Sequence, residues 1–367
     1  MNTDLTQQNI PSGWKQVALG DLVSVTTGSR DANHGSPDGQ YPFFTCAQKV
    51  SKIDNFSFDT EAVLIAGNGD FNVKYYKGKF DAYQRTYVLS DFQDTTGLFV
   101  YQKAKQALND IMRNNQGSSV KFIKMGDLTD YGFILPPINE QQKIAEILGA
   151  VDEDIAKTQE VIEATEKLKR GLMQQLFTRG IGHTKLKETK IGQIPEEWSI
   201  KTFEEFAVLQ RGFDLPVQDR TIGQYDLVTS NGVTDKHNQF KVKAPGVVTG
   251  RSGTLGNVFY IEGDFWPLNT TLYIKDFHGN HEKFVYYKIQ SFDMARFGTG
   301  TGVPTLNRNN VHKELIAIPK YSEQKEIAEV ITAIDEKISV NKKLKAKLTL
   351  LKKGLMQDLL SGEVRTI

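Results

Sequence analysis

Arginine, lysine, asparagine and glutamine gather in two stretches of this chain, a mixture suited to the edges and phosphates of a nucleic acid. The first stretch holds Asn68, Asn72, Lys74, Tyr75, Tyr76, Lys77, Lys79, Gln84 and Arg85, with Ser118 and Lys121 farther on. The second holds Arg211, Arg220, Asn231, Lys236, His237, Arg251, Ser252, Thr254, Asn257, Asn269 and Arg308. Arginine and lysine match guanine edges and phosphates; asparagine and glutamine match adenine edges. A solvated polar face has the same composition, so both readings stand here. The glycine-rich run Gly250-Arg251-Ser252-Gly253-Thr254-Leu255-Gly256-Asn257 reads either as a tight turn between strands or as a loop whose backbone meets a phosphate-bearing partner.

Catalytic signatures are missing. An adenine methyltransferase needs a polar residue, two prolines and an aromatic ring in a row. The only Pro-Pro here, in Leu135-Pro136-Pro137-Ile138, has neither flank. A phosphate-binding loop ends in Gly-Lys-Ser/Thr, and the run from Gly250 does not. Nuclease-like Glu-x-Lys occurs at Glu188-Thr189-Lys190 and Glu323-Gln324-Lys325, one on an expected linker and one at an expected helix start. The pair His278 and His281 sits in a loop-like stretch, where a metal site is not expected. One cysteine, Cys46, excludes an internal disulfide. With 45 basic and 44 acidic residues the net charge is +1, so a nucleic-acid reader must sort its positive charge onto one face. No apolar run approaches the roughly 18 residues of a membrane span. The polar start of the chain lacks the pattern of a signal peptide, and a cytoplasmic location without membrane contact is expected.

The elements that position these residues are written twice. Ile10-Pro11-Ser12-Gly13-Trp14 returns as Ile194-Pro195-Glu196-Glu197-Trp198, and Gly28 as Gly212. Glu140-Gln141-Gln142-Lys143-Ile144-Ala145-Glu146 returns as Glu323-Gln324-Lys325-Glu326-Ile327-Ala328-Glu329. Leu168-Lys169-Arg170-Gly171-Leu172-Met173-Gln174 returns as Leu351-Lys352-Lys353-Gly354-Leu355-Met356-Gln357. Between these blocks, roughly 50–120 and 234–300 share only a faint pattern. The chain repeats a frame and varies its contents.

Each closing block reads as a helix of about 39 residues, or roughly 58 Å. Prolines stand just before it, Asn139 and Ser322 suit its N-cap, and no proline interrupts it. Ile144, Leu148, Val151, Ile155 and Ile162 form one apolar stripe; Ile327, Ile331, Ile334, Ile338 and Leu348 form the other. Thr158 and Asn341 interrupt the stripes at equivalent places. The two stripes are expected to cover each other as antiparallel helices about a pseudo-two-fold axis, with Thr158 and Asn341 near it fixing register. Gly171 and Gly354 suggest close packing or a bend. Before each helix, short β-rich runs and a helix near 98–114 or 281–296 read as a mixed α/β domain. The expected class is α+β: domains at 1–137 and 181–319 (the latter opening with a linker, 181–193) alternate with helical spacers at 138–180 and 320–367.

The sequence resembles the specificity subunits of type I restriction-modification enzymes. Lys187-Glu188-Thr189-Lys190-Ile191-Gly192-Gln193-Ile194-Pro195-Glu196-Glu197-Trp198 is similar to the phrase that opens recognition domains in that family. Leu135-Pro136-Pro137-Ile138-Asn139-Glu140-Gln141-Gln142-Lys143-Ile144 and Lys169-Arg170-Gly171-Leu172-Met173-Gln174-Gln175-Leu176-Phe177 look like its helical blocks, and Gly250 to Gly256 like a loop of its recognition domains. The resemblance spans almost the whole chain. It implies a non-catalytic subunit whose two target-recognition domains each read half of a split, asymmetric site on double-stranded DNA. It also implies two methyltransferase subunits docked on the helices, restriction subunits joined through them, and S-adenosylmethionine, ATP and Mg on those partners. This chain itself would hold no cofactor. The first domain departs from the loop pattern: Gly67-Asn68-Gly69-Asp70-Phe71-Asn72 has no arginine at the place of Arg251. A duplicated scaffold that binds only proteins is the alternative, and a self-contained enzyme a third.

Overall fold

The computed structural model describes residues 10–114, 122–299 and 304–366. The chain forms two compact units, Met1–Gln159 with Lys343–Ile367, and Glu160–Lys342. The division runs through the two long helices rather than at their ends.

In the first unit the strands are β1 (Lys15–Ala18), β2 (Ser24–Thr27), β3 (Tyr41–Phe44), β4 (Ser51–Ile53), β5 (Phe58–Ala66), β6 (Val73–Ala82), β7 (Thr86–Ser90) and β8 (Gly132–Leu135). Helices α1 (Gly97–Asn114) and α2 (Met125–Thr129) precede α3 (Ile138–Arg179). Six strands form one sheet in the order β2-β7-β5-β6-β3-β4, and β1 pairs separately with β8. Only the β3–β6 pairing in the sheet is parallel. The run Ala62-Val63-Leu64-Ile65 is apolar throughout because both faces of β5 are covered. Val63, Ile65 and Leu89 pack under Phe99, Val100 and Ala104 of α1, while Ala62, Leu64 and Val88 meet Phe44 and Phe80 on the other side.

The second unit opens with a hairpin, β9 (Leu186–Thr189) and β10 (Gly192–Pro195), where the sequence suggested a linker. Then follow β11 (Ser199–Thr202), α4 (Phe203–Phe206), β12 (Val208–Arg211), β13 (Tyr225–Thr229), β14 (Gly232–His237), β15 (Gly246–Gly250), β16 (Val258–Ile261), β17 (Phe265–Pro267) and β18 (Thr271–Asp276). After α5 (Glu282–Gln290) come β19 (Gly298–Thr299), β20 (Thr305–Leu306), α6 (Arg308–His312), β21 (Leu315–Ile318) and α7 (Tyr321–Ser361). The plan is that of the first unit, even where the sequences have drifted apart. Strand β11 pairs with β21, and the large sheet recurs as β12-β18-β15-β16 and β14-β13-β17. It is split because Glu262-Gly263-Asp264 interrupts what β6 runs straight through. The repeated glycines have a shared reason. A Cβ on Gly28 would lie 1.9 Å from the Ala82 carbonyl oxygen, and one on Gly212 2.2 Å from that of Leu268.

Each unit holds the start of one long helix against the end of the other. In the first, Lys352 pairs with Asp152, and Lys345 Nζ donates to Gln159 Oε1 at 2.8 Å. In the second, Lys169 pairs with Asp335 and Lys342 with Glu166, both at 2.7 Å. In both, one number falls as its partner rises, so the segments are antiparallel. Ile144 and Leu148 are buried with Trp14, Leu359 and Leu360; Ile327 and Ile331 with Trp198, Leu176 and Phe177. These stripe residues therefore meet their own domain as well as the other helix. Ile162 and Ile338 are buried; Val151, Ile155, Ile334 and Leu348 are half-buried.

Three expectations are corrected. Thr158 Oγ1 donates to the Asp154 carbonyl and Asn341 Nδ2 to that of Lys337, so both side chains bond back to their own helices; the lysine pairs supply the polar links between helices. Asn139 and Ser322 lie inside the first turns, not at the caps, because the helices begin one residue before them, at Ile138 and Tyr321. Gly171 and Gly354 pack against nothing, since a Cβ on either would meet no atom within 4 Å.

The Trp and Glu of the repeated blocks meet in both units. Trp14 Nε1 donates to Glu140 Oε2, and Trp198 Nε1 to Glu323 Oε2, each at 2.9 Å. Arg365 then clamps Glu140 through Nε and Nη2 at 2.7 and 2.9 Å, while His183 Nε2 lies 3.0 Å from both Glu323 oxygens. The Glu323-Gln324-Lys325 motif is thus part of the joint between domain and helix. Gln324 in it donates to the Pro319 carbonyl, as Gln141 does to that of Pro136. Glu188 is held in the hairpin by Gln193, and His281 caps α5, its Nδ1 accepting from Phe284 N–H.

Candidate nucleic-acid interface

In the first unit the loops after β3, β5 and β6 converge at one end of the sheet. Gly67 N–H donates to the Arg85 carbonyl and Ile123 N–H to the Gly67 carbonyl, both at 2.8 Å. Cys46 Sγ lies 3.0 Å from Asn68 Oδ1, and Asn72 Nδ2 donates to the Cys46 carbonyl at 2.9 Å. Lys74 Nζ reaches the Ala47 carbonyl at 2.8 Å and also Asn72. Burial lowers the Lys74 pKa, with nearby Cys46 and Asp70 opposing the shift. Gln84 and Arg85 stand exposed at the tip of the β6–β7 turn.

Asn68, Asn72, Lys74, Gln84 and Arg85 are thus brought together, and other candidates are not. Tyr75 faces α1, and its hydroxyl donates to Glu61 Oε1 at 2.9 Å; burial and then Glu61 push its pKa up to about 12. Lys77 is exposed in mid-strand, opposite Glu61. Ser118 and Lys121 lie outside the described residues.

In the second unit the matching loops carry different side chains. Arg251 is gripped by its backbone: its N–H donates to the Thr270 carbonyl and its carbonyl accepts from Leu306 N–H, both at 2.8 Å. This is the pattern Gly67 makes with Arg85 and Ile123. The first unit therefore has glycine where the second has arginine, and a Cβ there would lie 2.8 Å from the Arg85 carbonyl oxygen. Arg251 Nη1 donates to the Asn269 carbonyl at 3.2 Å, and Asn269 Nδ2 donates to Asp214. Arg211 Nη2 meets both Asp214 oxygens at 2.9 and 3.0 Å. Hydrogen bonds from Asn269 and then Arg211 hold the Asp214 pKa below the ordinary carboxylate value. Asp214, Arg220, Ser230, Asn231, Asn269 and Thr270 are among the residues lining a cleft of about 440 Å³.

Ser252 bridges to Thr305, while Thr254 and Asn231 are exposed. Lys236 is exposed and paired with Asp226 at 2.7 Å. His237 belongs to the interior instead. It is 4% exposed, its ring sits edge-on to Trp266, and its Nδ1 accepts from Thr221 N–H at 3.1 Å. Arg308, half-buried, donates to the Leu209 carbonyl and the Gln210 side chain. Asp214 went unnoticed in the sequence because acidic residues are not sought in a DNA interface; its spacing of three from Arg211 was the available signal.

Two segments, residues 11–166 and 195–350, match the family of type I restriction modification DNA specificity domains. The chain belongs to that family, as a specificity subunit with two such domains. It is 40% identical over 189 residues to the specificity subunit of the type I restriction enzyme EcoDI of Escherichia coli, a match covering 52% of this chain and 40% of that one. It is 24% identical over 401 residues to the MjaVIII specificity subunit of Methanocaldococcus jannaschii, covering 97% and 94%. The structure resembles the crystal structure of the S subunit from M. genitalium, with a TM-score of 0.70, 18% identity and 97% of each chain covered. Among the described residues no helix is long and apolar enough to cross a membrane.

Proposed function

We propose that this chain is the non-catalytic, sequence-reading subunit of a DNA methyltransferase and endonuclease complex. Each unit reads one half of a bipartite, asymmetric site on double-stranded DNA with the loop cluster at its sheet end. The observation that carries this is one scaffold built twice with unlike residues at matched loop positions, Gly67 against Arg251. A frame kept constant while its loop tips differ serves two different half-sites. Two methyltransferase subunits dock along the helices, and restriction subunits join through them. Exposed Val161 and Leu168 on α3, and Val340 and Leu350 on α7, offer apolar surface for docking. The partners supply S-adenosylmethionine for adenine methylation, and ATP and Mg for cleavage, in the cytoplasm.

The test is selection from a random duplex library by the chain assembled with its methyltransferase. A two-part motif with unlike halves is expected, and bound duplex should slow alkylation of Cys46, the chain's single cysteine. Binding without sequence preference would favour a protein scaffold instead.

A further inference from the structure

The second unit's polar network has the donors and acceptor to read one particular base pair. Asp214 is acceptor-only, so the Asn269 amide must turn Nδ2 toward it; the opposite orientation would set oxygen against oxygen. That leaves Asn269 Oδ1, an acceptor, as the amide atom not engaged by Asp214. Beside it, Arg251 has one nitrogen, Nη1, tied to the Asn269 carbonyl, and its backbone is fixed on both sides by Thr270 and Leu306. Its Nε and Nη2, the side-on pair of donors, have no protein partner among the described residues. Two donors and one acceptor therefore sit together on a rigid base.

The major-groove edge of a G·C pair shows two acceptors on guanine, N7 and O6, then one donor, cytosine N4–H. An A·T pair alternates acceptor, donor and acceptor, and does not match. We propose that Arg251 reads a guanine and Asn269 its paired cytosine in the half-site of the second unit, with Asp214 as the positioning residue that sets this choice. Arg211, held by Asp214 through Nη2, completes the network. In the first unit Gly67 stands in place of Arg251 and cannot make this contact. The inference rests on the DNA-reading function proposed above and adds the identity of one base pair.

The experiment is the same selection, run with the methyltransferase complex carrying wild-type chain, Arg251→Ala, Arg251→Lys, Asp214→Asn or Asn269→Ala. The wild-type motif should hold an invariant G·C pair in one half. Arg251→Ala and Arg251→Lys should cut the preference at that pair about tenfold to a hundredfold, leaving the other half-site as an internal control of folding. Asp214→Asn should weaken preference at the same pair, because an amide can no longer dictate the Asn269 orientation. Guanine replaced by 7-deazaguanine at that pair should weaken wild type and not Arg251→Ala. Equal weakening on all sequences, with a shallower salt dependence, would make Arg251 a phosphate contact and overturn the inference. So would a second half-site without a sensitive G·C pair, or a loss shared by both halves in Arg251→Lys. A wild-type complex that selects no motif would instead overturn the DNA-reading function itself, and this assignment with it.

Discussion

Glu140 is fully buried and yet charged, and its neighbours show why that is tolerated. Burial alone would raise its pKa, but hydrogen bonds from Arg365 and Trp14 outweigh this and hold it below the ordinary value of 4.5. A carboxyl depressed in the folded state stabilises above its unfolded pKa, and that stability is lost as pH falls through the folded one. Glu140→Gln should therefore destabilise the fold at neutral pH by about 1.5–3 kcal/mol, the scale of hydrogen bonds to a charged group, read as a lower urea midpoint. It should also flatten the loss of stability below about pH 4.5; an unchanged acid limb would show that the pair contributes nothing. The recurrence of these residues was legible in the sequence, because the repeat shows Trp and Glu twice; that they pair was not, because they stand far apart in the chain. The reading residues were less legible. Lys74 and Arg85 look alike in a list, yet one is tied into the loop frame and the other is exposed. Tyr75 turned inward because neighbouring residues of a strand face opposite sides, and its identity does not say which side it takes.

The ends of the long helices rest on buried lysines. Lys103 of α1 is 5% exposed and donates to the Leu360 carbonyl at the end of α7, where a cation complements the free carbonyls. Lys288 of α5 is 8% exposed and lies over Phe177 near the end of α3. Burial lowers both pKa values to about 8. Between that pH and 10.5 the unfolded chain binds more protons, so stability should rise with pH through this window. Tyr131 and Tyr287, raised first of all by burial, oppose it above about pH 10, because the unfolded chain then loses protons that the folded chain keeps. The double substitution Lys103→Met, Lys288→Met should raise the thermal midpoint at neutral pH and make the rise between about pH 8 and 10 shallower, leaving the part that Lys74 and Lys352 contribute. A rise of unchanged slope would place its origin elsewhere. The helices themselves could be read from their apolar spacing and lack of proline. The hairpin at 186–195 could not, because its glycines and lysines look like a flexible connection until β9 and β10 pair. The split of the second sheet was equally hidden, since three residues, Glu262-Gly263-Asp264, decide it.

The unit boundaries fall within α3, between Gln159 and Glu160, and within α7, between Lys342 and Lys343. This makes the link between helix length and DNA site testable without disturbing either unit. Four residues of helix-forming sequence, about one turn, inserted in α3 alone would lengthen one of the two helical connections and not the other. The same insertion in both helices at these boundaries leaves Asp152 opposite Lys352 in the first unit and Lys169 opposite Asp335 in the second. The doubly extended chain, assembled with its methyltransferase, should therefore keep both half-site sequences and change only the number of unread base pairs between them. Methylation mapping on a library with variable spacer would report this directly. A single insertion after Thr158 should shift the tolerated spacer less cleanly and lower the thermal midpoint, because one helix then lacks its matching turn. Altered half-site sequences in the doubly extended chain would show instead that the helices shape the loop clusters. An unchanged spacer would show that the gap is set by the partner subunits and not by this chain.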